Sequence, residues 1–119
     1  MRVLAIDDSP TMRAMLSAAL VGKGFEVVTA NNSADGLDKL QAGGFRAVIT
    51  DINMPVMDGF AFIRAARAAP AGKSVPILIL TTESSDDKRA AGRAAGATGW
   101  IVKPFDPDSL VRTLHRVIV

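Results

Sequence analysis

Cysteine is absent from the 119-residue chain, so neither a disulfide framework nor a thiolate metal site is available, and an intracellular location fits. Tyrosine is also absent and Trp100 is the single tryptophan, so a change in intrinsic emission reports on one position. The only histidine, His115, lies far along the chain from any motif. It is read as solvent-facing or as a favourable charge near a helix C-terminus, not as a phosphodonor or ligand. No apolar stretch approaches the ~20 residues needed to span a bilayer. The opening "MRVLAIDDSP" carries a charged pair too early for the apolar region of a signal peptide, so the chain reads as mature, cytoplasmic and free of the membrane. The formal charge is only +2. Its basic residues are dispersed, with no helix-turn-helix, zinc or arginine-rich signature, and nucleic acid is not an expected partner.

The residues that are present follow an alternating pattern. Five short apolar runs, at 3–6, 25–28, 47–50, 77–80 and 100–102, are continuous rather than alternating, as strands covered on both faces require. Helical spacing lies between them. Met12, Met15, Leu16, Ala19 and Leu20 form one stripe, and Leu110, Val111, Leu114, Val117 and Ile118 form another. Leu37 and Leu40, then Phe60, Phe62 and Ile63, supply less regular apolar faces. Ser9-Pro10 reads as a helix cap with proline at the first position. Ser33 precedes the second helix, Asp86-Asp87 open the fourth, and Gly22, Gly43-Gly44 and Gly96 mark helix ends. The pattern predicts one α/β domain over residues 1–119, with a parallel sheet between two helical layers. The fourth helix, "DDKRAAGRAAG", holds Gly92 internally at a cost of about 1 kcal/mol. It reads either as a helix that needs small residues for close packing or as an element of low local stability that can shift.

Polar residues gather at the ends of the apolar runs: Asp7-Asp8 after the first, Asp51 after the third, Thr81-Thr82 after the fourth and Lys103 after the fifth. In open α/β sheets ligands bind outside the carboxyl ends of the strands, so four of five strands aim chemistry at one crevice. Clustered carboxylates repel one another, and Mg²⁺, a hard cation that takes one or two carboxylates and keeps several waters, resolves that repulsion. Asp51 can then act as a nucleophile toward phosphorus and form an acyl phosphate. Lys103 supplies a point charge to phosphoryl oxygens and Thr81 a hydroxyl donor. Taken singly, Asp8 could be only a helix cap, Lys103 could snorkel from the sheet edge, and Thr81 could cap a turn; their convergence favours the site.

"LAIDDSPTMR", "VITDINMPVMDG", "PILILTTE" and "GWIVKPF" together resemble the receiver domain of two-component response regulators, from the first strand to the last helix. The absence of further residues resembles the single-domain, CheY-like chemotaxis members. The resemblance implies a flavodoxin-like (βα)5 sandwich with strand order 2-1-3-4-5. It also implies Asp51 as phosphoacceptor from a CheA-type histidine kinase, in a monomer that catalyses only its own phosphorylation and dephosphorylation. Asp8, Asp51 and the backbone carbonyl of Asn53 would ligate Mg²⁺, with Asp7 acting through a water. Lys103 would pair with the phosphoryl group and precede a cis bond to Pro104. Thr81 would move toward the phosphoryl group, and Trp100 would turn inward with it. The resemblance also implies that Asn53 and Glu83 stand at positions that influence self-dephosphorylation in the family.

Two departures stand out. Trp100 replaces the tyrosine often found in such receivers, and its indole can only donate a hydrogen bond. Thr82 replaces a frequent alanine, narrowing access for water or a phosphatase. The expected output is a face made by the fourth helix, fifth strand and fifth helix, carrying Lys88, Arg89, Arg93, Trp100 and Arg112. Its expected target is the flagellar motor switch protein FliM. A receiver that only drains phosphoryl groups from the same kinase fits the sequence equally. A haloacid-dehalogenase-type phosphatase would need a second acid where Asn53 stands, and a flavodoxin would need a hydroxyl-rich loop where Asp7-Asp8 would repel its flavin phosphate.

Overall fold

The apolar runs form strands whose two faces are both covered. A computed structural model describes residues 1–118. The chain alternates β1 (Arg2–Ile6), α1 (Pro10–Val21), β2 (Glu26–Ala30), α2 (Ser33–Gln41), β3 (Phe45–Thr50), α3 (Gly59–Ala68), β4 (Ile77–Thr81), α4 (Asp86–Ala95), β5 (Gly99–Val102) and α5 (Pro107–Val117). A 3-10 turn at Pro70–Gly72 follows α3. All strand pairs are parallel, in the order β2-β1-β3-β4-β5. This is the flavodoxin-like arrangement, with β1 and β3 adjacent where the winding direction reverses.

Successive strand residues enter opposite cores. Val3, Ala5, Ala47, Ile49, Leu78 and Leu80 pack with Leu16 and Leu20 of α1 and Leu110 and Leu114 of α5. Leu4, Ile6, Val48, Ile77 and Ile79 pack on the other face with Leu40 of α2 and Phe62 and Ile63 of α3. Each large side chain buried this way contributes about 1.5–3 kcal/mol, so both helical layers are anchored to the sheet and the strand ends are held in fixed relation.

Helix boundaries follow the side-chain caps. Ser9 Oγ accepts the Met12 amide, Asp58 the Ala61 amide, Ser85 the Lys88 amide and Asp106 the Ser109 amide. The bond from the Ser109 amide holds the Asp106 carboxyl below the usual carboxylate range. Two expectations need correction. Met15 is 47% exposed, because only the seam through Leu16 and Leu20 faces the sheet and α5. Asn32, not Ser33, caps α2; Ser33 is the first helical residue, and its buried hydroxyl donates to the Met57 carbonyl at 2.9 Å. His115 is exposed in the last turn of α5, its ring centroid 5.5 Å from that of Phe25.

Candidate functional site

Backbone pairing continues one residue beyond the strands and thereby sets the site. The Asp7 amide donates to the Ala30 carbonyl and the Asp51 amide to the Ile6 carbonyl, each at 3.1 Å, and the Lys103 amide to the Thr81 carbonyl at 2.7 Å. Asp7 and Asp51 therefore emerge side by side where the winding reverses, the place at which open α/β sheets bind ligands. Both are buried, whereas Asp8 is exposed at the rim. One carboxylate oxygen from each of the three lies within 4.8 Å of the others.

Lys103 reaches across this group. Its Nζ donates to Asp7 Oδ2 at 2.9 Å and to Asp51 Oδ2 at 2.8 Å. The other Asp51 oxygen, Oδ1, accepts the amides of Ile52 at 2.6 Å and Asn53 at 3.1 Å. Asp7 Oδ1 accepts the Ser9 amide at 2.9 Å. Burial pulls the Lys103 pKa down, but the hydrogen bonds and charges of Asp51 and Asp7 outweigh it and hold the ammonium above the ordinary lysine value. Among the described residues no buried side-chain nitrogen or oxygen lacks a partner, so the carboxylate at the end of β3 is compensated in the way buried charge requires.

The donor set suits a hard divalent cation. Three carboxylates and one ammonium leave two net negative charges, the amount one Mg²⁺ neutralises, and all ligand atoms on offer are oxygens. Asp7, Asp8 and Asp51 could hold it, and Asn53 stands exposed at the rim immediately after Ile52.

The structure brings the remaining expected residues to the same end of the sheet. Thr81 is fully buried and its Oγ1 accepts the Glu83 amide at 3.3 Å. Thr82 is exposed and Glu83 half-buried. The Lys103–Pro104 peptide bond is cis. Trp100 is half-buried, and its Nε1 donates to the Glu83 carbonyl at 2.9 Å. Arg89, Arg93 and Trp100 line a depression of about 220 Å³ between α4 and β5, while Arg112 lines a different one on α5 with Ser109 and His115.

Two supporting residues escaped the sequence reading. Arg13 donates from Nη1 to the Asp7 carbonyl at 2.7 Å, pinning the turn that carries the acidic pair; nothing in its local pattern signals that role. Gly59 packs against the Asp51 backbone so closely that a Cβ there would collide with the Asp51 carbonyl and Ile52 Cα. In the sequence the Asp58-Gly59 pair is a turn signal and gives no sign of this contact. Val56, on the same β3–α3 loop, is fully exposed with φ 71°, a conformation uncommon for a β-branched residue.

A doubly wound sheet with an acidic crevice, crossed by one lysine, at its switch point defines a class of α/β ligand-binding modules. The chain belongs to the response regulator receiver domain family, whose pattern it matches over residues 3–115. Such domains are the phosphorylated signalling modules of two-component systems rather than conventional enzymes. The chain is 50% identical to the structure of the Vibrio cholerae chemotaxis protein CheY4, with a TM-score of 0.94 and coverage of 98% of this chain and 97% of that one. The receiver domain of the Pseudomonas aeruginosa sensor histidine kinase PA1611, solved with magnesium in its active-site cleft, is 28% identical, with a TM-score of 0.91 and coverage of 98% and 96%. The transcriptional regulatory protein PrrA of Mycobacterium tuberculosis is 42% identical over 117 residues, 98% of this chain and 49% of PrrA. The chain thus spans about half the length of the curated relatives it matches. No helix among the described residues is long and apolar enough to cross a membrane.

Proposed function

We propose that the protein is a phosphorylation-switched response regulator that accepts a phosphoryl group on Asp51 from a CheA-type histidine kinase and thereby changes its affinity for a partner. The observation that carries this reading is the Lys103 bridge between Asp7 and Asp51, beside the exposed Asp8, at the switch point of the sheet. One Asp51 carboxylate oxygen attacks phosphorus. The phosphorus–nitrogen bond of the donor phosphohistidine breaks, and its electron pair leaves on the imidazole. Mg²⁺, when bound, neutralises phosphoryl charge. Backbone amides of Ile52 and Asn53 hold the carboxylate in place, and Lys103 transfers its ammonium from carboxylate to phosphoryl oxygens. Thr81, linked to Trp100 through the Glu83 peptide, forms the switch; Asn53, Thr82 and Glu83, at the rim, govern how water or a phosphatase reaches the acyl phosphate.

The likeness to CheY4 over nearly the whole of both chains supports a chemotaxis role, with FliM at the flagellar motor as target of the Arg89–Arg93–Trp100 face. The likeness to PrrA favours a second reading, in which this receiver governs a transcriptional output. Phosphotransfer from purified CheA-type kinase, followed by binding to immobilised FliM with and without phosphorylation, tests both. Phosphotransfer with phosphorylation-dependent FliM binding is expected; phosphotransfer without it would leave a phosphate sink or another output, and no phosphotransfer would remove the kinase assignment.

A further inference from the structure

The single tryptophan connects α4 to the candidate switch through one peptide group. Trp100 Nε1 donates to the Glu83 carbonyl at 2.9 Å, and the Glu83 amide donates to Thr81 Oγ1 at 3.3 Å. The indole has room because Gly92 carries no side chain. A Cβ there would stand 3.1 Å from Trp100 Cζ3, 3.2 Å from Cε3 and 2.9 Å from Ile79 Cδ1. The Arg89 guanidinium covers the ring 5.8 Å from its centroid, within cation–π range. The ring is therefore held by a hydrogen bond at its edge, helix backbone behind and a cation over its face. An indole only donates, so leaving the Glu83 carbonyl requires another acceptor, and leaving the Gly92 notch opens a void in the core.

We propose that Trp100 is a positioning residue for Thr81: its indole stays seated against Gly92 in both the unphosphorylated and phosphorylated states and holds the Glu83 peptide while Thr81 alone exchanges partners. This rests on the phosphorylation switch proposed above and specifies how it works in this chain. Residue 100 is a fixed strut, and the change passes to α4 through the Glu83 amide that Thr81 releases.

With one tryptophan in the chain, the indole N–H gives a single ¹H–¹⁵N resonance that needs no assignment. The test adds beryllium fluoride with Mg²⁺, an acyl-phosphate mimic, to the ¹⁵N-labelled full chain, with ligation read independently by ¹⁹F NMR. Ligation with a shifted Thr81 resonance and unchanged hydrogen exchange at the indole is the expected result. Ligation with indole exchange faster by about fivefold or more, the equivalent of one neutral hydrogen bond worth ~1 kcal/mol, overturns the strut. Absence of ligation withdraws the phosphorylation switch proposed above, visibly and separately, and the strut falls with it. In the unligated protein, Trp100→Phe keeps an aromatic body but loses the donor, and should shift the Thr81 methyl resonance while the fold is retained. An unmoved Thr81 resonance would show that Trp100 packs without positioning. Gly92→Ala should speed indole exchange by crowding the notch; exchange unchanged in a folded variant would overturn the seat.

Discussion

Substituting Lys103 with methionine keeps the aliphatic stem and removes the ammonium that bridges Asp7 and Asp51. The three side chains are 13%, 2% and 9% exposed respectively, so water replaces the lost cation poorly. Removing one partner of a buried ion pair costs about 3–5 kcal/mol, because a charge is left uncompensated. Here Asp51 keeps two backbone amides and Asp7 keeps one, which places the loss near the lower end, about 3 kcal/mol. A native-state ligand contributes about 2.7 kcal/mol at a hundred times its dissociation constant. Without the competing ammonium, Mg²⁺ should bind the variant more tightly than the parent. Urea denaturation followed by far-UV circular dichroism, in chelator and in Mg²⁺, reads both effects. The gap between parent and variant should be about 3 kcal/mol in chelator and narrow in Mg²⁺. Adding Asp51→Asn to the variant should recover part of the loss, as coupled neighbours do. A cost below about 1 kcal/mol in chelator, with strict additivity of the two substitutions, would refute the charge argument.

Three further outcomes follow from the same structure. Lys103 has a folded pKa above its ordinary value of 10.5, so its stabilisation is complete below that pH and is lost as pH rises through the folded value. Alkaline denaturation should therefore be steeper for the parent than for Lys103→Met above pH 10.5, and coincident curves would contradict it. Val56→Asn should stabilise the fold by about 1 kcal/mol, since Val56 buries nothing and carries the left-handed penalty; urea midpoints decide. Asp58→Ala should cost about 1 kcal/mol by removing the α3 cap at 2.9 Å, and thermal melts showing no loss would remove the cap from the account.

The fold was legible because β1, β3 and β4 are buried on both faces and so read as unbroken apolar runs, while α5 repeats its apolar stripe without interruption. The site was legible for the same reason: charged residues at the ends of such runs stand out, and parallel strands place those ends together. The interactions that tune the site were not legible. The Arg13–Asp7 carbonyl bond, the Ser33–Met57 bond and the four carbonyl bonds of Arg67, which tie the end of α3 to Gly72, Val75 and Gly96, all run from side chain to backbone. A carbonyl acceptor leaves no trace in residue type. Met15 shows the converse limit, since helical spacing records which residues could face a core but not how wide a seam the neighbouring elements cover. Gly92 read equally as a close-packing glycine or as a weak point of a helix that can shift; its contact with Trp100, which favours close packing, emerges only from the fold.

The central claim is that Asp51 is the phosphoacceptor of this crevice. Intact-mass spectrometry after incubation with a small acyl-phosphate donor and Mg²⁺ tests it most directly, in the parent and in Asp51→Asn. One phosphoryl adduct on the parent, lost with chelator and absent from Asp51→Asn, is the expected result. An adduct that survives in Asp51→Asn would place the chemistry on another residue and contradict the account.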